Sequence, residues 1–416
     1  MRPIAKGKFY NRAVLSNDMV VLTERMPHVK SVALGVWVNV GSRDEPTEKA
    51  GISHFMEHLL FKGTEKRSAE EIAKAIDAVG GTLDAFTSRE QTCFYAKVLG
   101  EHLPLAVDLL SDILLHPCLD PQDIEREQKV VLEEIKMVED TPDDLIHDLF
   151  TQTAWGDHPL GRPVLGFKET LLSINREDVL QHIETFYQPD RMIVAAAGDL
   201  DDGRLTDLLE DAFKGFRGNA VSINSGPPTS RQVEVNEARD TSQVHLCLGV
   251  ETLPYAHEDR YALYLLNAIL GASMSSRLFQ EIRERRGLVY SIYSYQSSYR
   301  DAGLLVVYAG CSSESFGQVV DLIKAEWRRL KEEPVDLDEF KRAKEQLKGN
   351  LLLGLEGTSS RMTRLAKMEL YFGRCYDLEE IIRGIEEVTP DRFQALAQSL
   401  FAREAYTLTS LGRISP

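Results

Sequence analysis

Residues 51–64 read GISHFMEHLLFKGT and place His54 and His58 four positions apart, with Glu57 between them. The run reads as a short helix that begins near Ser53 and stops at Gly63, a C-cap. On a helix, residues i and i+4 lie one above the other. Two imidazoles so placed can converge on one ion, at about 2.0–2.1 Å for each Zn–N contact. Glu57 can flank such an ion without binding it, reach a water that the metal activates, and take its proton. The plainer alternative is two histidines that share a helix face, since pairs at this spacing are common.

A metal needs a third protein ligand, and two histidines with one carboxylate form a known catalytic set with an open fourth position. The candidate lies on the acidic helix DIEREQKVVLEEIKMVED, residues 123–140. Glu133 has Lys129 four before and Lys136 three after, so it can pair with them in solvent. Glu134 instead has Val130, Val131 and Val138 around it and Ile135 beside it. A carboxylate on an apolar face needs a partner such as a cation, which selects Glu134. Glu127, seven before Glu134, falls near the same face and could orient a ligand histidine from behind. Taken alone, Glu127 and Glu134 also fit a semi-exposed helix edge. HxxEH is the reversed form of the HExxH helix of zinc proteases, and together with Glu134 it favours the ligand reading. Two imidazoles and a carboxylate suit zinc, with cobalt or manganese left open.

The 416-residue chain is 43% hydrophobic and 27% charged, a globular balance with ample length for a large core. Its formal net charge of -17, from 65 acidic against 48 basic residues, argues against nucleic acid and anionic lipid as partners and favours basic peptides. The five cysteines, Cys93, Cys118, Cys247, Cys311 and Cys375, are scattered and form no CxxC, which fits a reducing compartment. No leader-like apolar run precedes the first strand-like segment, and runs such as MIVAAAG are too short to span a bilayer. A cytoplasmic location is therefore expected.

SVALGVWVNV reads as a strand before the histidine helix, and SAEEIAKAIDAVGG after it opens with a capping box at Ser68 and Glu71. TLDAFTSREQTCFYAKVL reads as two strands around a polar turn, two helical segments follow, and RMIVAAAGDL closes the half as a strand. GFRGNAVSINSGPPTSRQ is the best linker candidate. Beyond it the same order of elements returns: SQVHLCLGVETLP, EDRYALYLLNAILG, SSRLFQEIRERRG, then a strand pair. The reading is α+β, in two related halves of about 200 residues each. The second half has LYLLNAILG where the first has HFMEH.

With 75 residues between His58 and Glu134, the chain resembles the pitrilysin/insulysin-type (M16) zinc peptidases. It is most similar to the subfamily of the mitochondrial processing peptidase β-subunit and its small bacterial relatives. The resemblance runs from about residue 10 to 410 and includes GSRDE, GGTLDAFTSREQTCFYAKV, HPLGRPVLG and SSRLFQEIRERRGLVYS. It implies two homologous domains, each an antiparallel sheet packed with helices: 1–218 zinc-binding, 219–232 a linker, 233–416 without metal. It implies one Zn2+ per chain on His54, His58 and Glu134, Glu57 as general base and Glu127 behind the ligands. Substrate would join as an added β-strand along Thr82, Leu83, Asp84, Ala85, Phe86 and Thr87. The family often has Asn where this chain has Asp84, which adds a negative charge.

In the second half, RERRGLVY matches the family's substrate-contacting Arg–Tyr pair as Arg283 and Tyr290. Read without the family, Arg283 pairs with a neighbouring glutamate and Tyr290 is core; read with it, the Tyr hydroxyl could stabilise an oxyanion. One chain carries both the metal motif and this pair, so a self-sufficient homodimeric endopeptidase for unfolded or presequence-like peptides is expected. The alternatives are a non-catalytic assembly subunit and one half of a heterodimeric peptidase. The remaining histidines, such as His102, His116, His147, His158, His182, His245 and His257, follow no ligand spacing and read as structural or surface residues.

Overall fold

The computed structural model describes residues 5–6, 9–218, 225–402 and 405–414. The N-terminal sheet comprises β1 (Ala5–Lys6), β2 (Asn11–Val14), β3 (Val20–Arg25), β4 (Ser31–Val38), β5 (Thr82–Thr87), β6 (Thr92–Leu99) and β7 (Met192–Gly198). Its order is β1-β2-β3-β7-β4-β6-β5, which leaves β5 at one edge. The C-terminal sheet comprises β8 (Glu234–Glu237), β9 (Val244–Thr252), β10 (Val289–Ser298), β11 (Gly303–Cys311) and β12 (Thr407–Leu411), in the order β10-β11-β9-β12-β8. The sheets are antiparallel apart from one parallel pair in each, β3 with β7 and β12 with β8. Numbered within its own half from β3 or β8, each sheet follows the order 1-5-2-4-3, with strands 1 and 5 parallel. The sequence echo is thus a repeat of topology.

The central strands of each sheet are buried on both faces, and the second strand of each half shows it with period two. In β4, Val32, Leu34, Val36 and Val38 enter one core while Ala33 and Trp37 enter another. In β9, Val244, Leu246, Leu248 and Val250 face one core and Cys247 the other. Strands covered on both sides read as unbroken apolar runs, which accounts for MIVAAAG in β7 and GLLVVYAGC in β11, buried at every position.

The first core of the N-terminal sheet is closed by α1 (Ile52–Leu60), α2 (Ala69–Asp77), α3 (Leu103–Leu115) and α4 (Pro121–Glu139). Its other face is covered by the helix Thr358–Phe372, late in the sequence. Reciprocally, α5 (Pro142–Trp155), early in the sequence, covers the second face of the C-terminal sheet through Ile146, Phe150 and Ala154. A glycine lies under each crossing, in the LGV of both strands. A Cβ on Gly35 would come within 2.5 Å of Met362 Sδ, and one on Gly249 within 2.5 Å of Phe150 Cζ.

The compact units are consequently discontinuous: 1–135, 162–225 and 354–377 in one, 136–161, 226–353 and 378–416 in the other. A single cut at a linker between residues 218 and 233 does not describe them, because each sheet takes a helix from across that cut. Of that linker, residues 219–224 lie outside the described residues. Among the described residues, no helix is long and apolar enough to cross a membrane.

Candidate metal centre

The histidine helix is anchored from both ends of its logic: one face packs, and its N-terminus is held. Ile52, Phe55, Met56, Leu59 and Leu60 are buried, which leaves His54, Glu57 and His58 on the half-buried face. Gly51 opens α1 at φ +97°, and a Cβ there would lie 2.5 Å from the Leu165 carbonyl oxygen, so glycine is required. The buried Glu45 accepts from Gly51 N (2.7 Å) and Ser53 N (2.8 Å), placing a carboxylate on the free N–H groups of the first turn. Burial pushes the Glu45 carboxyl upward in pKa, and these two backbone bonds oppose that push.

The three expected ligands come together. One donor atom from each of His54, His58 and Glu134 lies within 4.8 Å of the others. Glu134 Oε2 is 3.7 Å from His54 Nε2 and 3.5 Å from His58 Nε2. Those separations are long for hydrogen bonds. Tetrahedral arms of about 2.0–2.1 Å put ligand atoms about 3.3–3.4 Å apart, so the distances fit donors facing one zinc ion. Burial, with the neighbouring His58, lowers the His54 pKa to about 4, so its ring is neutral near pH 7 with a lone pair to give. Glu134 has 33% of its side chain exposed, and Glu133 faces solvent.

Glu127 is 3% exposed and is therefore no helix-edge residue. Its Oε2 lies 3.3 Å from His58 Nδ1, and its Oε1 lies 2.9 Å from Lys62 Nζ. His54 Nδ1 is buried with no hydrogen-bond partner among the described residues. The two histidines are thus supported unequally.

Glu57 is tied to the edge strand. Thr87 Oγ1, at the end of β5, donates to Glu57 Oε2 at 2.6 Å. Burial raises the Glu57 pKa; the Thr87 bond and His58 pull it down, while the charges of Asp84 and Glu134 push it up. Glu57 is therefore electrostatically coupled to both the ligand set and β5. Along that strand Asp84 is exposed, with Oδ1 accepting from Ala85 N (2.8 Å) and Oδ2 from the Tyr95 hydroxyl (3.2 Å). A hollow of about 510 Å³ beside β5 is lined by Phe61, Ile72, Ile76, Leu83 and Asp84, among others.

In the C-terminal unit, Arg283 and Tyr290 meet. The Arg283 guanidinium lies 4.6 Å from the Phe279 ring centroid and 5.6 Å from that of Tyr290. Tyr290 is 77% exposed, which rules out the core reading, and Glu281 pairs with Arg285 and Arg286. His147 is held by the hydroxyls of Tyr295 (2.7 Å) and Tyr293 (3.1 Å), and buried His182 lies 3.4 Å from Ser53 Oγ. Both are structural contacts. The sequence reading missed Glu45 and Lys62; GSRDE and FKGT carried them, but nothing in their spacing pointed to these partners.

The sequence matches a model of the insulinase family (peptidase family M16) over residues 20–168 and one of the peptidase M16 inactive domain over residues 173–347. YmxG of Bacillus subtilis, named an uncharacterized zinc protease, is 42% identical over 405 residues, covering 97% of this chain and 98% of that one. An uncharacterized zinc protease of Streptomyces coelicolor is 41% identical over 400 residues, 94% of this chain and 87% of that one. Among solved structures, a protease from Helicobacter pylori superposes with a TM-score of 0.88 at 22% identity, over 97% of this chain and 99% of that one. A peptidase M16 inactive domain from Pseudomonas fluorescens gives 0.91 at 17% identity, over 98% and 100%. At those identities the two structures bear on the fold alone.

Proposed function

The chain belongs to the M16 (insulinase) family of peptidases, and from that premise we propose that it is a zinc-dependent endopeptidase acting on unfolded or presequence-like peptides. The observation that carries this reading is one constellation. Three donor atoms of His54, His58 and Glu134 converge, and Glu57, coupled to them, is held by Thr87 of an edge strand.

His54, His58 and Glu134 would hold one zinc ion, which supplies Lewis acidity, lowering the pKa of a water and polarising a carbonyl. The outer edge of β5, Thr82–Thr87, pairs through its backbone with an extended peptide and sets its register. Glu57 Oε1, the oxygen that Thr87 leaves free, takes the proton of the attacking water and passes it to the leaving amine. Glu127 keeps the His58 ring oriented from Nδ1. Arg283 and the exposed Tyr290 hydroxyl contact bound substrate, and the active particle is a cytoplasmic homodimer.

The test is cleavage of an unstructured peptide by the purified chain, with and without chelator, and by Glu57→Gln. Chelation should abolish turnover. Glu57→Gln should lower it by about 100- to 10,000-fold, the range for removal of a general base, while zinc stays bound. Chelator-insensitive cleavage, or full activity of Glu57→Gln, sinks the reading. Size measurement of the same preparation checks the homodimer.

A further inference from the structure

Lys62 lies one turn beyond His58, just past the end of α1, where its backbone N–H donates to the Leu59 carbonyl at 3.1 Å. Its ammonium is 2.9 Å from Glu127 Oε1, while the other oxygen of that carboxylate is 3.3 Å from His58 Nδ1. His58 Nε2 in turn faces Glu134 Oε2 at 3.5 Å. The four residues form a relay of contacts in which each end of Glu127 has its own partner. Lys62 is one-third exposed, whereas Glu127 is almost fully buried.

We propose that Lys62 is a positioning residue of the metal centre, acting through Glu127 to fix the aim and tautomer of His58. The last torsion of a glutamate is broad and roughly two-fold, so packing alone does not decide how its carboxylate plane turns. An ammonium on Oε1 pins that plane and leaves Oε2 to accept the proton of His58 Nδ1. With the proton on Nδ1, the lone pair sits on Nε2, the nitrogen that faces Glu134. Without Lys62, the buried Glu127 carboxylate loses its cation and must turn or seek another donor. His58 then loses a fixed acceptor. His54 has no such support at Nδ1 among the described residues, so the geometry of the pair rests on His58.

The proposal rests on the metal-centre reading, and its test separates the two. Zinc affinity of the full chain is measured by competition with a chromogenic chelator, for wild type, Lys62→Met, Lys62→Arg, Glu127→Gln and Lys62→Met/Glu127→Gln. Outer partners of a ligand histidine are worth about 10- to 100-fold in metal affinity, so Glu127→Gln should fall in that range and Lys62→Met near its lower end, about 10-fold. Lys62→Arg, which still offers a cationic donor, should bind zinc as wild type does. In the Glu127→Gln background, Lys62→Met should add nothing, because its effect passes through Glu127. Cobalt-loaded Lys62→Met should show a shifted visible spectrum, and Lys62→Arg should restore it. Unchanged affinity in Lys62→Met, or a loss that persists in full without Glu127, overturns the proposal alone. A wild type that takes up no zinc overturns the metal-centre reading and the proposal with it. If Lys62→Met does not fold, Lys62→Gln is measured under the same two criteria.

Discussion

The two halves of the chain share a strand order of 1-5-2-4-3, yet only the first gathers metal-ligating groups on its helix. The helix Arg260–Leu270 follows β9 as α1 follows β4. Aligning the two by their buried positions sets Tyr264, Asn267 and Ala268 where α1 has His54, Glu57 and His58. In the same way, aligning the buried Phe340 and Ala343 with Ile124 and Glu127 puts Ala343 in place of Glu127 and Asn350 in place of Glu134. One polar contact persists: Ser294, on the third strand of its half, donates to Asn267 Oδ1 at 2.7 Å, as Thr87 on the other third strand donates to Glu57 at 2.6 Å. The fold thus needs the buried phase of the helix and a link from helix to third strand. The chemistry needs a few half-exposed positions that the scaffold leaves free.

The largest contrast lies in metal binding. His58→Ala removes a donor from the ligand set and should weaken zinc by more than the ~10–100-fold of an outer partner, with peptide cleavage lost. Tyr264→Ala, at the position that matches the other ligand histidine, His54, should leave metal content unchanged. Metal analysis of the purified variants checks both. Chelation itself should destabilise the protein, because a ligand present at 1,000 times its Kd adds about 4 kcal/mol to the native state. A thermal shift on chelation in wild type, absent in His58→Ala, is the expected result. Equal shifts in both would mean that the ion binds elsewhere.

Legibility followed the range of each contact. His54, Glu57 and His58 could be placed together because helical spacing is local. Glu134 was separated from Glu133 by its neighbours, and the structure does leave Glu133 in solvent and bury Val131. Val130, however, is 41% exposed, so the apolar face was only half a reason. Glu45 and Lys62 were invisible as partners because a carboxylate at a helix start, or an ammonium on a buried glutamate, is decided by tertiary distance. The reciprocal helices were hidden for a related reason. An amphipathic segment such as α5 shows the same pattern whichever sheet it covers. The parallel pairing of first and last strands also leaves no local trace. The signal that did exist was the glycine of each LGV, in a strand where a larger residue would otherwise pack.

That glycine supplies the second contrast. Replacing a strand glycine with alanine ordinarily stabilises by about 0.4–1 kcal/mol when the backbone permits it. Here the sign should reverse. At Gly249 the new Cβ meets the rigid Phe150 ring at 2.5 Å and the Leu305 carbonyl oxygen at 2.9 Å, so Gly249→Ala should cost about 1–3 kcal/mol in urea unfolding. At Gly35 the nearest obstacle is the end of a flexible methionine, Met362 Sδ at 2.5 Å, with Trp37 Nε1 next at 3.0 Å, so Gly35→Ala should cost less. In a Met362→Ala background, itself destabilised by loss of a buried side chain, Gly35→Ala should cost less than it does in wild type, whereas the cost of Gly249→Ala should not change. A stabilised Gly249→Ala would mean that α5 does not press on β9.

The smallest effects test the contact that both halves retain. If the helix-to-strand bond serves only the fold, Thr87→Val and Ser294→Ala should behave alike, each costing about 0.5–1.5 kcal/mol of stability. In the first half the acceptor is the proposed base. Losing Thr87 frees Glu57 to turn and removes a bond that favours its ionised form. Thr87→Val should therefore lower kcat by about 10-fold, a cost of about 1.4 kcal/mol in the transition state, with zinc content unchanged. Thr87→Ser, which keeps the hydroxyl, should retain most of the activity. Ser294→Ala should leave kcat/KM as it is, because Asn267 has no proton to move. Equal losses of turnover in Thr87→Val and Ser294→Ala would make the bond a scaffold element in both halves, and the orientation of Glu57 would have to come from its burial alone.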